Sequence, residues 1–166
     1  MGLVLACALG AKAGEYDTLT IFKDYKEVAL GKYIRHFQDS TNGMTLQDFL
    51  EQTSPTRAAM RANQKNVIAL GYGQNQYWLS AFLENKTELK ARKYLVLSDP
   101  NLDEVFIYLR KRADGKDSIV QVAQVGDNFY NGQKIFNHRN YVFPLELPPN
   151  TTMELIMQVK RQWEPI

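Results

Sequence analysis

The chain has 166 residues, 45% of them hydrophobic and 23% charged, with a formal net charge of only +2. That is enough for one domain with a real core, and it excludes a disordered chain, a membrane-embedded bundle and the strongly basic footprint of a nucleic-acid binder. Attraction to a membrane surface through charge alone is equally unsupported.

The N-terminus differs in kind from the rest. Residues 3–9 read LVLACAL, and Ala11-Lys12-Ala13 follows. An apolar run ahead of small residues resembles the end of a secretory signal peptide, although the positive leading region is missing. Residues 1–13 are therefore expected to be a signal remnant, residues 14–162 a single domain, and residues 163–166 the start of a linker. The one cysteine, Cys7, falls inside the remnant. The mature domain is expected to have no disulfide, no thiolate metal site and no cysteine nucleophile. No other stretch approaches the ~20 apolar residues of a membrane helix.

In chain order, Thr18–Phe22 reads as a strand. Val28, Ile34 and Phe37 supply apolar anchors without a clean period. Asn42-Gly43 signals a turn. Thr45 and Asp48 have the spacing of a capping box, and Leu46, Phe49 and Leu50 follow at i, i+3, i+4, which predicts a short helix over 45–52. Asp39, Asn42 and Asp48 lack the spacing of a calcium loop and read as a solvated turn. From residue 64 the pattern turns to β. The segments NVIALGY, QYWLSAFLEN, KYLVLSD, EVFIYLRK, SIVQVAQVG, NYVFPLELP and MELIMQVKR are each about strand length, separated by Asn, Asp, Gly and Pro punctuation. Met153, Leu155, Met157 and Val159 share one face. Thr152, Glu154, Gln158 and Lys160 take the other, with Ile156 the exception. Val105, Ile107 and Leu109 alternate against Phe106, Tyr108 and Arg110 in the same way. Short strands at regular spacing predict an antiparallel sandwich or barrel.

Catalytic constellations are hard to find. The two histidines, His36 and His138, belong to no HExxH motif, and no GxSxG or glycine-rich phosphate loop occurs. No metal, no cofactor and no enzymatic activity are expected. Asp103, Glu104, Asp127 and Glu146 are available carboxylates, but a glycosidase needs two of them across one cleft. Binding is better supported. Aromatic faces stack on flat apolar ligands while nearby polar groups fix orientation. Tyr77, Trp78 and Tyr130 are the aromatic candidates, and Tyr72, Phe129 and Tyr141 lie near strand ends. Trp78, inside the run YWLSAFL, reads more readily as core than as a ligand platform. Asp103, Asp127, His138 and Arg139 are the polar candidates. Arg139 has two readings: a grip on an anion or polyol, or a buried ion pair to Asp103 or Asp127 that pins a strand entrance. Pro144 cannot donate to a ladder, which predicts an edge or a bulge.

Several segments then occur in a familiar order: YIRHFQDSTNGMTLQDFLEQ, GYGQNQYWLSAFLEN, DPNLDEVFIYL, VGDNF and HRNYVFPLELPPNTTMELIMQVK. Together they resemble the periplasmic sensor domain, type 2, of bacterial seven-transmembrane receptors with diverse intracellular signalling modules. The resemblance covers roughly residues 15–160. It implies a mainly β fold, a jelly-roll antiparallel β-sandwich similar to carbohydrate-binding modules, with one or two short helices in the N-terminal third. It also implies export to the periplasm and a parent protein anchored in the inner membrane by a following seven-helix region. The function it implies is noncatalytic sensing of a small molecule such as a saccharide or a carboxylate. The alternative is a periplasmic protein-interaction or homodimerisation module, and a glycan-active enzyme stands behind both. One departure is visible: where the family has Trp-Leu-Arg, this chain has Trp78-Leu79-Ser80, which puts in doubt any ligand contact assigned to that arginine.

Overall fold

The computed structural model describes residues 17–21, 27–51, 55–70, 74–99, 102–113, 116–127, 129 and 140–161. Nine strands and two short helices are assigned among them. They are β1 (Thr18–Ile21), β2 (Arg35–Asp39), α1 (Leu46–Leu50), α2 (Pro55–Ala59), β3 (Arg61–Ala62), β4 (Gln76–Asn85), β5 (Ala91–Leu97), β6 (Glu104–Ala113), β7 (Lys116–Val125), β8 (Tyr141–Leu147) and β9 (Thr151–Lys160), with a 3-10 turn at Gly31–Tyr33.

Two sheets form. The larger runs β3-β2-β4-β9-β6-β7, and the smaller is the pair β5-β8. All pairings are antiparallel except one: β1 adds in parallel to β4 over Phe82–Asn85, on the half of that strand that β2 leaves uncovered. The fold is thus a mainly β sandwich, as expected. The described strands do not by themselves trace a jelly-roll winding.

The alternation read from the sequence is what builds the core. Tyr77, Leu79, Ala81 and Leu83 of β4, Val105, Ile107 and Leu109 of β6, and Met153, Leu155, Met157 and Val159 of β9 all point inward. They meet Leu95 of β5 and Tyr141, Phe143, Leu145 and Leu147 of β8. Ile156, the exception to the polar face of β9, belongs to a second cluster on the outer face with Phe49, Leu50, Met60, Trp78 and Tyr108. The helices explain it. The capping box forms as predicted, with Thr45 accepting from the Asp48 amide and Asp48 accepting from the Thr45 amide. The helix it starts lays Phe49 on Trp78, rings stacked 4.8 Å apart. This is why β4 and β9 are buried on both faces, whereas β5 alternates between buried and exposed.

Two expectations are corrected, and one strand is added. NVIALGY, residues 66–72, forms no strand over its described part, 66–70. The Asn63 side-chain amide instead donates to the carbonyls of Gly31, Lys65 and Val67, which competes with ladder formation. Strand β2, over RHFQD, was not legible from periodicity. Asp39 is not a solvated turn residue: it is buried, and its carboxylate accepts from the Thr41 amide and hydroxyl, the Met44 amide and Gln76. Burial pushes the Asp39 carboxyl up, but those hydrogen bonds outweigh it and hold its pKa below the usual range. Pro144 lies in β8, which pairs with β5 alone among the described strands, so it occupies an edge as expected. The signal remnant, the linker at 163–166 and Tyr72 lie outside the described residues.

Candidate ligand cavity between the sheets

The smaller sheet is two strands wide and the larger is six, so β5 and β8 cover only part of the inner face. The remainder is closed by two irregular segments, 27–34 and 63–70. Asn63 ties them together, through the side-chain bond to Gly31 and an amide bond to the Ile34 carbonyl at 2.9 Å. Gly31 must be glycine here, because a Cβ would lie 2.1 Å from the Asn66 carbonyl oxygen. The two segments pack backbone on backbone.

Between them and β5 lies a cavity of about 1270 Å³. Its floor is Leu79, Leu83, Leu155 and Met157 of the large sheet, and β1 adds Leu19 and Ile21. Val28, Leu30, Ile68 and Leu70 form the roof, and residues 92–99 run along one side. The rim carries Arg92, Lys93, Asp99, Asn140 and Arg161. Arg161, just past the end of β9, pairs with Asp99, just past the end of β5, at 2.7 Å. This joins the two sheets at the end where β5, β7 and β9 finish. A largely apolar concavity with a few polar groups at its mouth is the usual makeup of a small-molecule site.

The residues singled out in the sequence are distributed as follows. Tyr77 is buried in the inner core and Trp78 in the outer cluster, on opposite faces of β4. Neither borders the cavity. Asp103 and Asp127 are brought together: Gly126, at φ 135°, approaches the Asp103 carbonyl so closely that any Cβ would clash, and the Asp127 amide donates to the Leu102 carbonyl at 2.9 Å. Neither lines the cavity, although Leu102, whose carbonyl Asp127 binds, does. Burial, and then the charge of Asp127, push the Tyr141 hydroxyl pKa up. Tyr130, His138 and Arg139, and with them the expected ion pair of Arg139, lie outside the described residues.

A second polar feature, on the outer face, was not anticipated. Glu154 of β9 is only 4% exposed. It accepts from both terminal nitrogens of Arg57, from Arg110 and from the Ser80 hydroxyl. Arg110 continues to Asp117 at 2.6 Å. Burial alone would lower the Arg110 pKa, but its bonds and the charges of Asp117 and Glu154 raise it. Arg57 also donates to the Phe49 carbonyl and lies over the Phe49 ring, so it fixes both helices to the sheet. Ser80, the departure from the family pattern, is thus a member of this network, and the nearby positive charge comes from Arg57 and Arg110. The signal available in the sequence was weak: Glu154 sits on a strand face that alternation alone assigns to solvent.

One pH response follows from β2. His36 lies opposite Arg61 of β3. Burial first, then the Arg61 charge, hold its pKa below 6.5. The unfolded chain takes up a proton as pH falls through 6.5, and the folded one resists it. Stability should therefore decline from pH 6.5 downward and level off below the depressed folded value. Urea denaturation of wild type and His36→Asn at pH 7.5 and 5.5 checks this: the variant is expected to lose less stability between the two.

Fold and cavity define a mainly β sandwich with an internal, largely apolar groove. Residues 31–166 match the family model described as 7TMR-DISM extracellular 2, and the chain belongs to that family. It is an extracellular sensor domain of 7TMR-DISM receptors, which places it on the periplasmic side of an inner-membrane receptor. No curated protein matches the chain. Among the described residues no helix is long and apolar enough to cross a membrane.

Proposed function

We propose that this domain is a noncatalytic ligand sensor and that its ligand, a small molecule such as a saccharide or a carboxylate, occupies the cavity between the sheets. The observation that carries this reading is the cavity itself, about 1270 Å³ of largely apolar space in a domain of a sensor family. A ligand there touches β5, β1 and the inner face of β9 together. Bound and empty domains then differ in how the two sheets are held, and a receptor is biased only by such a difference in affinity between its states.

Leu70, half-buried in the roof, gives the test. Leu70→Trp fills the space without opening the core. In a thermal-shift screen of saccharides, amino acids and carboxylates, wild type is expected to gain several degrees with one class. Leu70→Trp is expected to gain none while melting within a few degrees of unliganded wild type. Ligand shifts of equal size in both proteins would move the site elsewhere.

A second reading, self-association, is favoured by the exposed outer face of β5, where Tyr94 and Val96 are 51% and 47% exposed. Sedimentation of the domain over a hundredfold concentration range separates it from the first.

A further inference from the structure

We propose that the outer edge of β7 pairs with the same edge of a second copy of this chain, antiparallel and about a two-fold axis at Val120. The inference is independent of the cavity and of the outer face of β5.

The two ends of the large sheet are protected differently. One end is β3, two residues long and led by Arg61. Short strands and charged side chains blunt an edge. The other end is β7, ten residues long, and no described strand pairs with its far side. Lys116 and Asp117 open it, and Asp117 is already held by Arg110. From Ser118 to Val125 the strand reads SIVQVAQV, without a charge, a proline or a glycine. Ser118, Val120 and Gln121 are exposed, Val120 at 59%. A long, uncharged edge rich in β-branched residues is a template for another strand. Its one blunting device is a bulge at Val122, between the pairs Ile107–Ala123 and Tyr108–Gln121. The bulge bends the strand and limits the usable edge to residues 116–122.

That stretch suits its own copy. For two large sheets to join into one, inner-face residues must oppose inner-face residues. Val120 lies opposite Leu109 of the inner core, and Ile119 belongs to the outer cluster. A two-fold axis at Val120 meets the requirement: Val120 opposes Val120, Ser118 opposes Val122, and Ile119 opposes Gln121. The most exposed apolar side chain of the edge is then covered by its own twin. Antiparallel pairing also carries the exposed Lys116 towards the exposed Asp127 at the far end of the other copy's strand. Parallel pairing in register would set Lys116 on Lys116 and Asp117 on Asp117, which is unfavourable. So short a contact falls below the roughly 1,200 Å² of a stable interface, and the isolated domain is expected to associate weakly.

Disulfide trapping in the Cys7→Ser chain at about 1 mM tests this. Directly opposed residues have Cβ atoms about 4.5–5.5 Å apart, whereas the two Ser118 side chains would stand ~14 Å apart. Under mild oxidation Val120→Cys is expected to form a linked dimer at least tenfold faster than Ser118→Cys. Val120→Lys is expected to melt with wild type and to sediment as a monomer at concentrations where wild type associates; Val120→Glu is the second variant should the first fold poorly. Tyr94→Lys should leave association unchanged. Equal trapping of Val120→Cys and Ser118→Cys, or a wild type that stays monomeric at about 1 mM, would overturn the proposal. Association lost in Tyr94→Lys and kept in Val120→Lys would overturn it as well, and would move the contact to the outer face of β5.

Discussion

Glu154→Ala is expected to destabilise the domain by about 3–5 kcal/mol, because it leaves two buried guanidinium groups without their shared carboxylate. The side chains of Arg57 and Arg110 are 12% and 7% exposed, so neither can turn fully to water without breaking other contacts. Arg57 would lose the anchor that holds α1 and α2 to the sheet, and Arg110 would keep only Asp117. Glu154→Gln keeps the shape and some of the acceptors and should cost less. Urea denaturation of Glu154→Ala, Arg57→Ala and the double variant measures the coupling. The double variant is expected to be less destabilised than the sum of the singles by at least about 1 kcal/mol, as partners in one network are. A Glu154→Ala protein within about 0.5 kcal/mol of wild type would show that water reaches the network.

The second large effect belongs to Trp78, which has no exposed surface and fills the space between β4 and Phe49 of α1. Trp78→Ala is expected to cost about 3–5 kcal/mol through lost burial and the void left behind. Trp78→Phe should cost clearly less. It keeps a ring on Phe49 and removes an indole N–H that has no hydrogen-bond partner among the described residues, and a buried donor of that kind carries a penalty of about 1–3 kcal/mol. Both variants are expected to bind a cavity ligand with wild-type affinity at temperatures where they are folded, because Trp78 points to the sheet face opposite the cavity. A tenfold loss of affinity in Trp78→Phe would instead tie the outer face to ligand binding.

What the sequence disclosed, and what it hid, follows from how far each signal reaches along the chain. Strands β4 to β9 were legible because apolar residues at alternate positions have one physical outcome on a sheet. The capping box at Thr45 and Asp48 was legible because both partners lie within one turn. Asn42, read as a turn residue, does adopt positive φ, 54°. The failures are long-range. Whether Glu154 faced water or a helix depended on α2, almost a hundred residues away. NVIALGY has strand composition, but Asn63, outside the segment, binds its carbonyls. Asn85 looked like simple loop punctuation. It is fully buried and joins the start of the β4–β5 connection to the end of β8 through the Leu89, Leu147 and Pro148 carbonyls. The cavity was illegible for the same reason: it exists because one sheet is narrower than the other, and no local pattern encodes the width of a sheet.

The pairing of β4 with β9 at the centre of the large sheet bears on how the domain acquires its structure. Gln76 and Gln158, joined across that pairing, are 82 positions apart, and Ser80 and Glu154 are 74 apart. Loop closure over such distances must precede any reward from the central ladder, and chains dominated by non-local pairs fold in milliseconds to seconds. Until β9 has emerged, β4 has no central neighbour, and its ten-residue strand, with apolar side chains at 77–79 and 81–83, stands as an open template for strand association. An exported chain meets that hazard during every crossing. The polar residues of that strand, Gln76, Ser80 and the Glu84-Asn85 end, are the gatekeepers it carries there until Glu154 arrives to bury Ser80.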